Sequence, residues 1–184
     1  MEEIKINIIS LPKRTDSRES IIKQMELEGI TSYKIWDGIP HVQPKIGINR
    51  AHKQIIQYAK DNNLPEIIIA EDDLVWSGSG AWKYFLDNKP NDFDLYVGSY
   101  YSGSHDGDNI VTGLRGLTLY CCSFRFFDKF LSLPESMHID GAISLSGAKV
   151  IVCDQFVCRQ AAGFSDQRKR HAENKIVGQK MFGE

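Results

Sequence analysis

An α/β fold with a mostly parallel central sheet flanked by helices is predicted by three observations. Short isoleucine-rich runs bounded by Pro, Gly or Asp recur along the chain and read as buried strands. Amphipathic stretches of helical length separate the first of these runs, the alternation that builds strand–helix–strand units. The 184 residues suit a single domain, 1–184, long enough to bury a real core.

The elements follow in order. "IKINIISL" (4–11) reads as the first strand, stopped by Pro12. "TDSRESIIKQMELEG" (15–29) reads as a helix, with Asp16 as a cap, Glu19 three residues later and Gly29 as its end. "SYKIWDG" (32–38) is a short second strand. "GINRAHKQIIQYAKDNN" (47–63) is a second helix with Ala51, Ile55, Ile56 and Ala59 facing inward. "EIIIAEDD" (66–73) is a third strand, "GAWKYFLDN" (80–88) a helix and "FDLYVGS" (93–99) a fourth strand.

Beyond it, "YYSGSHDGDN" (100–109) is polar and glycine-rich and reads as a long loop. "LRGLTLYCCS" (114–123) reads as one strand, and "FRFFDKFLSL" (124–133) as a helix capped by Ser123. "HIDGAISLSG" (138–147) starts another helix, and "AKVIVC" (148–153) is a further strand. The tail carries a basic cluster, "DQRKRH" (166–171).

Composition narrows the function classes. Apolar and charged contents of 42% and 25% are ordinary for a soluble globular protein. A formal net charge of −2 excludes a molecule that is basic throughout, so any hold on nucleic acid rests on a local patch. No window approaches the length needed to span a bilayer. The acidic start of Met1–Ser10 and its short apolar run are unlike a secretory signal. Cys121, Cys122, Cys153 and Cys158 form no C-x-x-C pair, so a zinc site is weakly indicated and free thiols in the cytoplasm are expected.

The chemistry concentrates where "IIIA" runs into Glu71, Asp72 and Asp73. In open α/β sheets ligands bind beyond the carboxyl ends of strands. Three adjacent carboxylates repel one another and lose solvation on packing, and a hard divalent cation offsets both penalties. The bland alternative is that they cap a helix or face water. Arg14 and Arg18 follow the first strand, either as phosphate contacts or as a solvated helix start. His52 is either a satisfied structural histidine or a ligand-facing group.

Several motifs in sequence order resemble a known family. "IISLPKRTDSR" (8–18), "WDG" (36–38), "IGINRAHKQII" (46–56), "IIIAEDD", "TLYCCSFRFFDKFL" (118–131), "HID" (138–140) and "GFSDQR" (163–168) together resemble the family 25 glycosyltransferases, of lipopolysaccharide and collagen galactosyltransferase type. Each motif is unspecific alone, and their joint order is specific. Ser10 stands where the family has asparagine, and Ala51 where it has serine.

The resemblance implies a GT-A fold and transfer of a hexose, with inversion, from a UDP-sugar to a hydroxyl of a lipopolysaccharide-like glycan. Mn²⁺ or Mg²⁺ would be held by Asp73, assisted by Asp72 or Glu71 and completed by His171, whose alternative is a surface histidine in a basic run. Ser10, Leu11, Arg14, Arg18, Asp37, His52 and Asp72 would line the donor site. Lys169 and Arg170, with Arg168, would close over the diphosphate. Asp140 would be the general base; its alternative is the N-cap of a helix at 141–146. The rival readings are an acceptor hydroxyl on a nucleic-acid base or a protein side chain, and a non-catalytic nucleotide-sugar-binding module. A phosphotransferase ranks low, because no Gly-x-x-x-x-Gly-Lys loop is present.

Overall fold

The computed structural model describes residues 5–165, 170–172, 176 and 179–183. Its centre is a six-stranded sheet built from β1 (Ile6–Ser10), β2 (Tyr33–Asp37), β3 (Glu66–Glu71), β5 (Leu95–Val97), β8 (Leu119–Ser123) and β9 (Val150–Val152), in the order β2-β1-β3-β8-β5-β9. β1 runs parallel to β2 and β3, and β5 parallel to β9, while β8 runs antiparallel to β3 and β5. The sheet is therefore mostly parallel, with one reversed strand at its middle.

Period-two alternation divides the central strands between two apolar layers. On β3, Ile67 and Ile69 join one cluster while Ile68 and Ala70 join the other. On β8, Tyr120 and Cys122 face the first cluster, and Leu119 and Cys121 the second. Both faces are covered, which is why these strands read as continuous apolar runs. The first layer takes α2 (Pro44–Asp61), α4 (Phe127–Ser132) and α5 (Ile139–Leu145). The second takes α1 (Thr15–Leu27) and α3 (Ala81–Asp87). The four inward residues expected on α2 are all buried. All four cysteines are free and buried.

The C-terminus of α1 follows the sequence reading. Gly29 sits at φ +65°, its N–H reaches Glu26 O, and the Ile30 N–H reaches Met25 O. This is a Schellman closure, with Ile30 and Met25 buried in one cluster. The N-terminus does not follow it. The cap position is Arg14, Asp16 lies inside the first turn, and no side chain makes a cap hydrogen bond. α2 starts at Pro44 rather than 47, because proline suits the first helical turn, where its missing N–H costs nothing.

Further corrections fall in the second half. Residues 100–109 are not loop throughout: β6 (Ser102–His105) pairs antiparallel with β7 (Val111–Arg115), and 106–109 make the turn towards it. The single strand expected over 114–123 is the end of β7 plus β8, broken by Gly116 at φ +95°. Ser123 precedes a short 3₁₀ turn without donating a side-chain cap. β4 (Leu74–Trp76) and β10 (Cys158–Gln160) form a separate antiparallel pair, and β11 (Gly163–Ser165) and β12 (Arg170–Ala172) another. No helix among the described residues is long and apolar enough to cross a membrane.

Candidate donor and metal site

Strand register brings the expected residues to one edge. Ile9 of β1 lies beside Glu71 of β3, and Ser10 beside Asp37 of β2, so three parallel strands end together. Because β8 is reversed, its start arrives at the same edge, where the Glu71 N–H donates to Thr118 O at 2.9 Å. The residues before β8 thus border the acids at the end of β3.

The three acids take three different partners. Glu71 Oε1 lies 3.4 Å from His52 Nε2, and His52 Nδ1 lies 2.9 Å from the Tyr120 hydroxyl. Asp72 Oδ2 accepts from the Ser10 hydroxyl at 2.7 Å, and its Oδ1 lies 3.7 Å from Arg14 Nη1. Asp73 Oδ2 accepts from Gln160 Nε2 at 2.6 Å, while Asp73 Oδ1 is buried with no partner among the described residues.

Arg18 braces the corner beside them. Its guanidinium donates to Ser10 O and to the Asp37 carboxylate, and the Gly38 N–H also donates to Ser10 O. The Leu11 side chain packs against Gly38. Ser10, Leu11, Arg18 and Asp37 are therefore brought together as one corner, with Arg14 on its acidic side.

Asp140 lies in the first turn of α5, where His138 is the cap residue, so the cap reading of Asp140 does not hold. Its Oδ2 accepts from the Gly116 N–H at 3.0 Å, and its Oδ1 from the Gly141 N–H at 2.7 Å. Lys169 and Arg168 lie outside the described residues. Arg170 and His171 lie on the described backbone of β12, opposite Ser165 and Phe164, and their side chains are outside what is described.

Burial sets the electrostatics of the edge. It pushes the Glu71 carboxyl up to about 8, reinforced by the charges of Asp72 and Asp140 and opposed by Arg14. It pulls His52 down to about 4, against the charge of Asp140, so this histidine is neutral. Asp72 is raised by burial against the Ser10 hydrogen bond and Arg14. Asp73 is raised well above the usual carboxylate range by burial, then by Glu71 and Asp72. These shifts favour the neutral carboxyls, and a bound cation would favour their charged forms instead.

Among the described residues no group of three or more His, Cys, Asp or Glu side chains converges as a closed metal cage. A hard cation such as Mg²⁺ does not need one: it commonly takes one or two carboxylates and leaves its other positions to water and substrate phosphates. The orphaned, buried Oδ1 of Asp73 fits that pattern. Sequence reasoning missed Tyr120, Gln160 and Gly116. Tyr120 lay in an apolar run that reads as core, and nothing in the local sequence marks Gln160.

No family model matches the chain, and no curated protein matches it in sequence. Solved structures do match. The mannosyltransferase PcManGT from Pyrobaculum calidifontis, in complex with GDP-Man and Mn²⁺, superposes with a TM-score of 0.59 at 8% identity over 90% of this chain. The chain has the GT-A fold. It spans 59% of the mannosyltransferase's length. A mutant of the Drosophila β1,4-galactosyltransferase 7, complexed with manganese, UDP-Gal and xylobiose, matches with a TM-score of 0.53 at 13% identity, covering 95% of this chain and 77% of its own. The protein A197 from STIV matches with a TM-score of 0.55 at 12% identity, covering 98% of this chain and all of its own.

Proposed function

We propose that this GT-A chain is a metal-dependent glycosyltransferase of the family 25 type, moving a hexose from a UDP-sugar to an acceptor hydroxyl of a glycan with inversion. The observation that carries the reading is Asp73: a carboxylate with one oxygen held and the other buried without a partner among the described residues, at the carboxyl edge of the sheet. The GT-A fold and the gathering of three carboxyl groups at this edge support it.

Asp73 is the protein's metal ligand in this reading, and His171 its candidate companion. A bound Mn²⁺ or Mg²⁺ would offset the charge that develops on the departing nucleoside diphosphate. Arg14 lies beside Asp72, where its guanidinium supports the same phosphates. Ser10, Leu11 and Asp37 receive the nucleoside, and Arg18 keeps their corner closed. Glu71 stays with His52 and Tyr120, walling the site on its buried side.

Asp140 takes the proton. The acceptor oxygen attacks the anomeric carbon, the carbon–oxygen bond to the diphosphate breaks, and the hydroxyl proton moves to an Asp140 carboxylate oxygen. The backbone N–H groups of Gly116 and Gly141 hold that carboxylate in place. A cavity of about 290 Å³ lined by Val42, Gln43, Pro44, Lys45 and His138 opens close in sequence to Asp140 and is the candidate acceptor seat.

A thermal-shift panel of nucleotide sugars with Mn²⁺ tests the reading. A donor that binds only the folded state raises the melting temperature in proportion to its affinity. At least one UDP-sugar is expected to do so, and the shift to require the metal. A panel in which no nucleotide sugar moves the transition would sink it.

A further inference from the structure

The side chain that holds Asp73 is Gln160, 87 residues away in sequence. Its strand does not need that contact. β10 is already fixed to β4 by backbone pairing of Cys158 with Trp76, Arg159 with Val75 and Gln160 with Leu74, and the Ala161 N–H donates to Asp73 O at 2.7 Å. The amide is also an odd donor for a carboxylate that no lysine or arginine bonds among the described residues. Lysine or arginine there would neutralise Asp73 and compete with a metal for it. A neutral amide orients the carboxylate and, as a donor, favours its charged form without competing as a cation.

We infer that Gln160 is the positioning residue of the metal carboxylate: by donating to Asp73 Oδ2 it leaves Oδ1 as the unencumbered oxygen for a cation, and so favours Mn²⁺ and Mg²⁺ over Ca²⁺. This rests on the reading of Asp73 as the metal ligand. With Oδ2 engaged, a cation gains both carboxylate oxygens only by sharing Oδ2 with the amide or displacing it. A small octahedral ion loses little by that restriction, because single carboxylate oxygens, water and phosphate suit it. Ca²⁺, which takes six to eight oxygens and often both from one carboxylate, loses more. Partners outside a metal's own ligand set commonly control affinity in this way.

The test measures Mn²⁺ binding directly, from the electron paramagnetic resonance signal of free Mn²⁺ in the presence of UDP, with Ca²⁺ affinity read by competition. Gln160→Leu is expected to weaken Mn²⁺ binding about 10- to 100-fold and to narrow the Mn²⁺-to-Ca²⁺ preference. Gln160→Asn, one methylene too short to reach Oδ2, is expected to do the same, and it keeps the test open should the leucine variant fail to fold. In an Asp73→Asn background, Gln160→Leu should add no further loss, as a merely structural role for Gln160 does not require. Wild-type Mn²⁺ affinity and preference in both single variants would overturn the role of Gln160 alone. Absence of Mn²⁺ binding by the wild type, or binding untouched by Asp73→Asn, would overturn the Asp73 reading and this one with it.

Discussion

Glu71, Asp72 and Asp73 are neighbours in sequence and occupy three environments. Their place at a strand end was legible, because an apolar run stopping at charge marks the rim of a core. Their separate partners were not. Ser10, His52 and Gln160 reach them from far along the chain, and no local pattern encodes which side chain meets which. Glu71 carries a pH consequence. Its carboxyl is raised from about 4.5 to about 8, so the folded chain binds that proton more tightly than the unfolded one. Its contribution to stability is complete below about pH 4.5 and is lost as pH rises through about 8. His52, lowered from 6.5 to about 4, acts oppositely: its contribution is complete above pH 6.5 and lost as pH falls towards about 4. Between pH 6.5 and 8 only the Glu71 slope remains of the two. Urea denaturation across that interval should show wild-type stability falling with pH, and Glu71→Gln should flatten the fall. Equal slopes in both proteins would mean that Glu71 ionises normally.

Elements with a strong period were read well. The inward stripe of α2, the Schellman end of α1 and the buried β1 and β3 all follow from spacing and a single glycine. The β6–β7 hairpin was missed because β6 is exposed and polar, and the buried Val111 and Leu114 of β7 fall outside period-two alternation. The reversal of β8 was hidden for a different reason: strand direction leaves no trace in residue order. That reversal matters, since it lets Gly116, just before β8, hold Asp140. Gly116 has φ +95°, and a Cβ there would sit 2.6 Å from Cδ1 of the Tyr101 ring. Gly116→Ala is therefore expected to cost about 1 kcal/mol or more of stability from backbone conformation. It should also lower kcat more than it raises KM, by shifting the N–H that fixes Asp140. Full kcat in this variant would remove Gly116 from the account of the base.

On the scale of the molecule, one architectural fact organises the rest. Parallel β1, β2 and β3 end together, reversed β8 begins beside them, and polar residues that would be costly in the core gather at that edge. Alternation of strands and helices made the α/β class legible, and the acidic triplet marked the carboxyl edge of the sheet that is proposed as the site. The partner of each acid, the pairing of β10 with β4 and the hairpin over 102–115 depend on tertiary contacts and emerged only in three dimensions. The central claim is that this edge activates a nucleotide sugar through Asp73. Its most direct test is release of UDP from a UDP-hexose in Mn²⁺, comparing wild type with Asp73→Ala. The account predicts metal-dependent release by the wild type and a loss of about 10²- to 10³-fold in the variant, the scale of removing one main charge-stabilising group. Equal, slow release by both proteins would contradict it.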